Sequence, residues 1–264
     1  MAGAIASLAF TGVASAADMP VKYKAPPAPI VSCTWCGFYA GVNGGGAWFD
    51  DGSAIVNETT AGVPFISGTW PGAGNFGNLR GSGGFGGGQF GYNWQRAQWV
   101  FGLETDIQGG DIRGSTAATL PYIVAPNTVT VGVSERIDWF GTLRGRVGYA
   151  WNNFLLYATG GLAYGDVRTN VAYSDTFGFT ANGTNTSTRA GYAVGAGGEW
   201  AIAPRWSIKV EYQYINLGRQ TTNATEFFAG APTTFAINTT TRDDFHTVRV
   251  GINYRFGGPV VAKY

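Results

Sequence analysis

The C-terminal part of the chain alternates between apolar and polar residues, and this alternation predicts a β-strand. In residues 246–256, every second position from Val248 to Phe256 is apolar or aromatic. Because successive side chains of a strand point to opposite faces, the segment has one apolar face and one polar face. The polar face carries Arg249, Asn253 and Arg255. Such a strand fits either a soluble sandwich or a membrane barrel, and the rest of the pattern distinguishes the two.

The same alternation recurs in seven earlier segments, which gives eight strands in all. Their lengths are roughly 9 to 14 residues, and a tilted strand needs about 9 to 11 residues to cross a bilayer. The alternation is clearest in residues 206–217 and least regular in residues 154–165. The predicted strands are residues 37–49, 84–94, 99–107, 137–150, 154–165, 190–201, 206–217 and 246–256.

The connections between these strands are alternately short and long. Residues 95–98, 151–153 and 202–205 form the short ones, whereas residues 50–83, 108–136, 166–189 and 218–245 form long polar ones. An outer-membrane barrel has short periplasmic turns and long outer loops, and a soluble Greek-key sandwich has no reason to alternate so strictly. The sequence therefore predicts an all-β protein, an eight-stranded antiparallel transmembrane β-barrel over residues 37–256.

Aromatic and charged residues fall on opposite faces of the predicted strands. Aromatic residues beside the short turns, such as Trp94, Trp99 and Trp206, have the parity of the lipid-facing side, where Trp and Tyr mark the membrane boundary. Five acidic and five basic residues occupy the alternate positions, whose side chains are predicted to point into the barrel. This predicted lumen charge network consists of Glu104, Asp106, Asp138, Arg144, Arg146, Glu199, Lys209, Glu211, Arg249 and Arg255.

Balanced charges in a narrow interior predict ion pairing, because an unpaired buried charge costs several kcal/mol. An eight-stranded barrel is just wide enough to be filled by its own side chains, so we expect a plugged lumen. Inward glycines such as Gly41, Gly91 and Gly197 leave local space. A small diffusion pore therefore remains the alternative.

Both ends of the chain differ from the barrel in composition. Residues 1–17 combine a short apolar run with a small-x-small motif, although no Lys or Arg precedes the run, and are predicted to be a signal peptide. Residues 18–36 are rich in Pro and Lys and read as a periplasmic linker. Its Cys33 and Cys36 have no partner motif for zinc or redox chemistry, and a local disulfide is the expected state in an oxidising compartment. Residues 257–264 form a C-terminal tail.

Composition narrows the range of functions. Gly accounts for 42 of 264 residues, aromatic residues for 15% and charged residues for 12%, about half the usual charged share. A net charge of +1 provides no basic field for nucleic acid. No apolar run is long enough for a transmembrane helix, and no motif for a cofactor or a metal is present. His246 is the single histidine and lies near the predicted outer rim.

The chain resembles the outer-membrane immunogenic proteins of alphaproteobacteria, relatives of the OmpA-type and opacity-type eight-stranded barrels. The resemblance rests on the Ala-Ala-Asp cleavage region, on residues 37–42 and on residues 248–256. Gly251, Tyr254 and Phe256 are similar to the signal that the barrel-assembly machinery reads, although this chain continues to residue 264. The resemblance implies a surface antigen with a role in envelope integrity, and outer-membrane lipid and lipopolysaccharide as its surroundings.

Three classes of function follow. The first is a structural surface barrel that displays its loops to host or envelope ligands. The second is a small passive diffusion porin. The third is a lipid-modifying barrel enzyme, which would need a Ser and an acid beside His246. Because Val248 and Val250 are its strand neighbours and offer no nucleophile, we expect the protein not to be an enzyme.

Overall fold

The computed structural model describes residues 33–49, 52–60, 63–64, 73–121 and 126–256. They form ten strands, and among them there is no helix that is both long and apolar enough to cross a membrane. The predicted signal peptide, residues 18–32 of the linker and the tail at 257–264 lie outside the described residues. The strands are β1 (Gly37–Phe49), β2 (Gly52–Thr60), β3 (Val63–Pro64), β4 (Ala73–Arg96), β5 (Trp99–Pro121), β6 (Thr128–Trp151), β7 (Phe154–Asp175), β8 (Phe179–Ala203), β9 (Trp206–Phe228) and β10 (Ala231–Phe256).

The strands close into a ring of eight positions. Each strand from β4 to β9 pairs with the next one in the chain, and β1 closes the ring by pairing with both β10 and β4. β2 pairs with the same two strands farther along, so it continues the position of β1 in the upper part of the wall. The two-residue β3 pairs with β2 alone among the described strands. The predicted eight-stranded antiparallel barrel is confirmed.

The strands extend well beyond the predicted membrane crossings. β5 ends at Pro121 and β6 begins at Thr128, where the sequence predicted a loop over residues 108–136. β7 to β10 likewise occupy most of residues 166–189 and 218–245, and β2, β3 and β4 occupy 22 residues of the segment 50–83. The wall continues because its Thr and Val residues favour an extended backbone, although a polar outer face replaces the lipid-facing one. The prediction of long irregular loops was therefore wrong for most of these residues.

Buried apolar residues occupy three levels inside the barrel. The level next to the short turns contains Trp35, Val100, Ala150, Leu155, Tyr157 and Ala201. The middle level lies just above the charged residues of the membrane region and is centred on Phe85, Phe140 and Phe245. The highest level, in the extension, contains Val56, Leu79, Val129, Val131, Val133, Val171, Tyr173, Ala181, Ala224 and Ile237. The core of this protein is thus the interior of its own barrel.

One irregularity of β6 reverses the inward and outward sides of that strand. The ladder between β6 and β7 passes from Trp139–Asp166 directly to Ile137–Val167, so Asp138 is an extra residue without a partner on β7. Such a bulge adds one residue to one strand and shifts its parity. Below the bulge the even-numbered residues of β6 face the lumen, and above it Ile137 and Glu135 do.

Candidate functional site

The outer surface of the lower barrel is apolar. Large hydrophobic side chains that are about half exposed, among them Leu103, Val147 and Leu162, cover it between two aromatic girdles. The girdle at the short turns includes the pairs Trp99–Tyr149 and Trp206–Tyr254, whose ring centroids are 5.5 and 5.0 Å apart. Exposed apolar area on this scale is stable only against lipid. This band marks the membrane-spanning part of the barrel.

The lumen at the level of the band holds four cations and four anions. We call this set the charge layer; it consists of Glu104, Asp106, Glu199, Glu211, Arg144, Arg146, Lys209 and Arg249. All eight side chains are at most 4% exposed. They come from β5, β6, β8, β9 and β10, so sequence-distant segments meet only after the ring has closed.

Arg144 and Glu104 lie at the centre of the charge layer. Glu104 accepts hydrogen bonds from Arg144 Nη2 at 2.7 Å and from Lys209 Nζ at 2.9 Å. Arg144 Nη2 also reaches Asp106 Oδ2 at 2.9 Å, and its Nη1 reaches Glu211 Oε1 at 2.8 Å. One guanidinium thus bridges three carboxylates, an arrangement that suits its planar fork of donors.

Arg249 pairs with its direct neighbour on β9. The ladder places Arg249 opposite Glu211, and the distance from Nη2 to Oε1 is 2.6 Å. Arg249 Nη1 extends across the lumen to Asp106 Oδ2 at 3.0 Å. The Tyr157 hydroxyl donates to Glu211 Oε2 at 2.8 Å, so both oxygens of that carboxylate are bonded. Arg249 thus links carboxylates that lie on two different strands, β9 and β5.

Arg146 and Glu199 form a second group nearer the short turns. Arg146 Nη2 lies 2.9 Å from Glu199 Oε2, and its guanidinium carbon lies 4.0 Å from the centre of the Tyr157 ring. Ser207 and Asn253 donate to the other oxygen of Glu199 at 2.6 and 2.9 Å. Cation–π contact adds to the ion pair where water is excluded.

Two predicted members of the network lie elsewhere. Asp138 occupies the bulge, points outward and pairs with Arg136 Nε at 2.6 Å, with a side chain that is 36% exposed. The inward prediction was wrong because a strict two-residue period does not allow for the bulge. Arg255 is buried but makes no carboxylate ion pair within the described part of the chain. Its Nη2 donates to the Ala203 carbonyl at 3.4 Å, and its guanidinium lies 4.9 Å from the Trp35 ring.

Trp35 is buried inside the barrel at the short-turn end, which the sequence did not predict. Its side chain is 1% exposed, and its backbone N–H donates to Gln95 Oε1 at 3.1 Å. Cys33 and Cys36 form a disulfide around it. Trp35, which the sequence placed in the linker, is therefore part of the barrel interior, whereas Cys33, Thr34 and Cys36 are half-buried. An isolated Trp between two cysteines in a Pro-rich segment was the available signal.

Above the charge layer, three phenylalanine rings pack together inside the barrel. Phe140 packs edge-to-face against Phe85 and Phe245, with ring centroids 5.3 and 5.4 Å apart. Farther up, Glu135 and Asp243 are buried together, although neither was predicted to face the lumen. Arg189 Nη1 lies 3.5 Å from Asp243 Oδ2. Burial and the neighbouring Asp243 raise the pKa of Glu135 well above its ordinary value.

The inward glycines are occupied by neighbouring side chains. A Cβ at Gly197 would lie 2.7 Å from the Tyr157 hydroxyl, and a Cβ at Gly91 would overlap the Tyr39 ring. At Gly41 it would overlap Asn253 and Gln89 as well as the neighbouring backbone. These positions are small because aromatic and amide side chains fill the space above them.

The remaining candidate residues lie on the outer surface or at the strand ends. His246 is placed between Trp48 and Tyr214 by its two ladders, and its Nδ1 lies 2.6 Å from the Tyr212 hydroxyl. It belongs to the upper aromatic girdle. Tyr254 and Phe256 are in the lower girdle with ring centroids 5.2 Å apart, whereas Gly251 faces the lumen. Their role as an assembly signal stays a prediction.

The chain is similar to known outer-membrane proteins. Residues 4–256 match the family model described as "Outer membrane protein beta-barrel domain". It is 34% identical to the 31 kDa outer-membrane immunogenic protein of Brucella melitensis, over 96% of this chain and 98% of that protein. It is 38% identical to the 22 kDa outer membrane protein of Rhizobium leguminosarum, over 54% and 57% of the two chains. The structure of OprG from Pseudomonas aeruginosa covers 84% of this chain and is itself covered to 97%, with a TM-score of 0.50 and 16% identity.

Proposed function

Because this chain belongs to the outer membrane protein beta-barrel domain family and is a surface barrel of the cell outer membrane, we propose that it acts as a structural barrel with a closed lumen. In this role the lower band anchors the protein in lipid, and the extension displays its rim outside the cell. The predicted resemblance to the alphaproteobacterial immunogenic proteins is confirmed. Its contribution to envelope integrity is part of the proposal.

The charge layer is the observation that carries the closed lumen. Four cations and four anions balance one another, and Arg144, Lys209 and Arg249 are at most 1% exposed. A water-filled pore would hydrate such side chains, whereas a polar core must pair them, because an isolated buried charge costs several kcal/mol. The aromatic filling above and Trp35 below add two further barriers along the same axis.

A diffusion porin is the alternative with less support. It would need a continuous aqueous path past Phe140 and past the Arg249–Asp106 contact, which spans the lumen at 3.0 Å. The glycines that the sequence left as local space are covered by Tyr39, Tyr157 and Asn253. We therefore infer that Tyr39, Tyr157 and Asn253 fill the space beside these glycines inside the barrel.

We also infer a non-enzymatic role. The relatives are named as immunogenic proteins, and the cross-strand neighbours of His246 are Trp48 and Tyr214, neither of which is a serine. A nucleophilic mechanism at the membrane edge would need Ser, His and an acid in hydrogen-bond order. The ring contacts of His246 instead match those of a membrane-boundary aromatic.

The partners follow from the position of each surface. Outer-membrane lipid contacts the apolar band, and the rim of the extension is available to host or envelope ligands. The barrel-assembly machinery is proposed to read Gly251, Tyr254 and Phe256 in the last strand.

The lumen can be tested with a double-mutant cycle at Glu211 and Arg249. Glu211→Gln alone leaves Arg249 and Arg144 short of a carboxylate, so we expect it to lower the free energy of unfolding by about 3–5 kcal/mol. The double variant Glu211→Gln/Arg249→Met is again neutral inside and should recover much of the loss. Denaturant unfolding of refolded protein in detergent measures the stabilities, and planar-bilayer recording measures the conductance of the same samples.

Asp138→Asn is the matched control, because it removes a carboxylate from an exposed pair. We expect it to cost less than about 1 kcal/mol. Steady, large single-channel conductance from the unmodified protein would contradict the closed lumen. So would a Glu211→Gln variant of unchanged stability and altered ion preference.

A further inference from the structure

Three arginines form one row on the outer face of the barrel. The ladders place Arg113 of β5 opposite Arg136 of β6, and Arg136 opposite Arg168 of β7. All three have outward side chains, and Arg113 and Arg168 are exposed. Like charges directly opposite each other destabilise a sheet, so a row of this kind calls for anions between its members.

Carboxylates of the protein satisfy only part of this row. Asp111 Oδ1 lies 2.7 Å from Arg113 Nε and 3.2 Å from Arg136 Nε, and Asp138 Oδ1 lies 2.6 Å from Arg136 Nε. Every one of these contacts uses the Nε atom. Within the described part of the chain, the terminal nitrogens of Arg113 and Arg136 make no hydrogen bond or ion pair to a carboxylate, and the two side chains are 62% and 41% exposed.

The row borders a cavity on the outer wall. Arg80, Arg113 and Arg136 line a space of about 320 Å³ together with Ser115, Ser134 and Asn170. Gly114 and Glu135 complete the lining, and the Glu135 side chain is buried. A second space of about 350 Å³ shares Ser115, Ser134 and Asn170 and continues upward to Asn182 and Thr184. Both volumes are in the range of small-ligand sites. The lower space is rich in guanidinium groups, and the upper one is lined by hydroxyl and amide groups.

The height of this site matches the headgroup level of the outer leaflet. Arg136 lies three residues above Trp139, which contacts Tyr164 in the upper aromatic girdle at 6.2 Å between ring centroids. Below the girdle the wall is apolar, and above it the outward residues are polar. Phosphate groups of a lipid whose acyl chains contact the band would therefore lie beside the arginines.

We propose that Arg80, Arg113 and Arg136 bind the phosphate of a phosphorylated glycolipid of the outer leaflet, with its sugar along Ser134, Asn170 and Thr184. Lipopolysaccharide is the outer-leaflet lipid of this chemistry. Guanidinium forks bind phosphate oxygens in pairs, and hydroxyl and amide groups match the hydrogen bonding of sugars. The proposal rests on the surface-barrel part of the proposed function and is independent of whether the lumen conducts.

The test uses refolded protein in detergent, with lipid A as the probe and native mass spectrometry as the measurement of Kd. The unmodified protein is expected to bind bis-phosphorylated lipid A at least about tenfold more tightly than dephosphorylated lipid A. In R113Q/R136Q this preference should disappear. Arg96→Gln, at the exposed short-turn end of β4, is the matched control and should keep the full preference.

Asp111→Asn provides a second, opposite readout. It removes a carboxylate that competes for both arginines, so binding of phosphorylated lipid A should tighten severalfold. Equal affinity of R113Q/R136Q and unmodified protein would overturn the proposal. Loss of the preference by competition with millimolar inorganic phosphate would overturn the glycolipid in favour of a free-phosphate site. Bilayer conductance, measured in parallel, should not change in any of these variants, which separates this site from the lumen.

Discussion

Glu135 and Asp243 are the two residues whose surroundings make stability depend on pH. They are hydrogen-bonded to each other in the buried extension, with Thr169 and Thr241 beside them, Asp244 next in the chain and Arg189 on the far side of Asp243. Burial, followed by the charge of Asp243, raises the pKa of Glu135 above its ordinary value of 4.5. The folded state therefore holds a proton that the unfolded state releases.

Because the folded and unfolded states bind protons differently, the free energy of unfolding changes with pH. A carboxyl group with a raised pKa in the folded state contributes stability that is complete below pH 4.5 and is lost as the pH rises through the folded value. We expect Glu135→Gln, which stays neutral and can still donate to Asp243, to flatten this decline. Thermal unfolding of the detergent-refolded barrel across pH 4 to 9 measures it.

Asp111→Asn is the control for this profile. The hydrogen bond from Arg113 lowers the pKa of Asp111, so its titration ends below that of an ordinary Asp. The variant should follow the unmodified protein above pH 5. A Glu135→Gln profile that declines in parallel with the unmodified protein would contradict the buried proton.

Single residues also mark the limit of prediction from the sequence. The two-residue alternation along the strands predicted that Glu104, Arg144 and Glu211 face the same side. It could not give the distances between them, because these depend on strand register. It misplaced Asp138, since a bulge has no signature in a two-residue period. It did not include Trp35 in the barrel at all, because the side chain enters the lumen from outside the strands.

At the scale of the element, β6 shows why the strands are longer than predicted. Val129, Val131 and Val133 alternate with small polar residues, and this signal was present in the sequence. Apolar residues such as Val131 and Leu143 keep odd-numbered positions on both sides of the bulge, but those below it face lipid and those above it face the lumen. In residues 166–175 and 180–190 the alternation is weaker, since Thr and Asn occupy both faces.

Removing the bulge residue should therefore be costly. Deletion of Asp138 would reverse the parity of the upper half of β6 and turn three buried valines outward, each worth about 1.5–3 kcal/mol of burial. We expect a fall in unfolding free energy of at least about 4 kcal/mol, or failure to refold. Asp138→Ala keeps the residue count and loses one exposed ion pair, so it should cost less than about 1 kcal/mol. Equal stability of the two variants would show that the bulge does not set the register.

At the scale of the whole molecule, the described strands β7 to β10 extend far beyond the membrane-spanning part and are joined there by short turns. About eleven residues of β7 above the upper girdle correspond to roughly 30 Å of wall outside the bilayer. The turns at residues 176–178 and 229–230 end two of its hairpins. The long segments between the membrane crossings are thus accessible mainly at their tips.

Proteolysis of intact cells can distinguish strands that extend the barrel wall from exposed loops. Proteinase K should cut at residues 176–178 and 229–230 and leave the strand residues 166–174 and 218–225 intact, because paired backbone is protected. The short turns at 95–98, 151–153 and 202–205 should be cut only after the outer membrane is permeabilised. Cleavage throughout residues 166–174 would restore the loop interpretation, and cleavage at the short turns in unbroken cells would mean an inverted orientation.

The burial of Trp35 also depends on closure of the ring. Its ring lies against Arg255 of the last strand and packs with Val100, Leu155 and Ala201 from three other strands, while its backbone is held by Gln95 of a fourth. These partners surround a common space only when β1 and β10 have met. The surroundings of Trp35 are therefore complete only in the closed ring, and burial of this side chain reports ring closure.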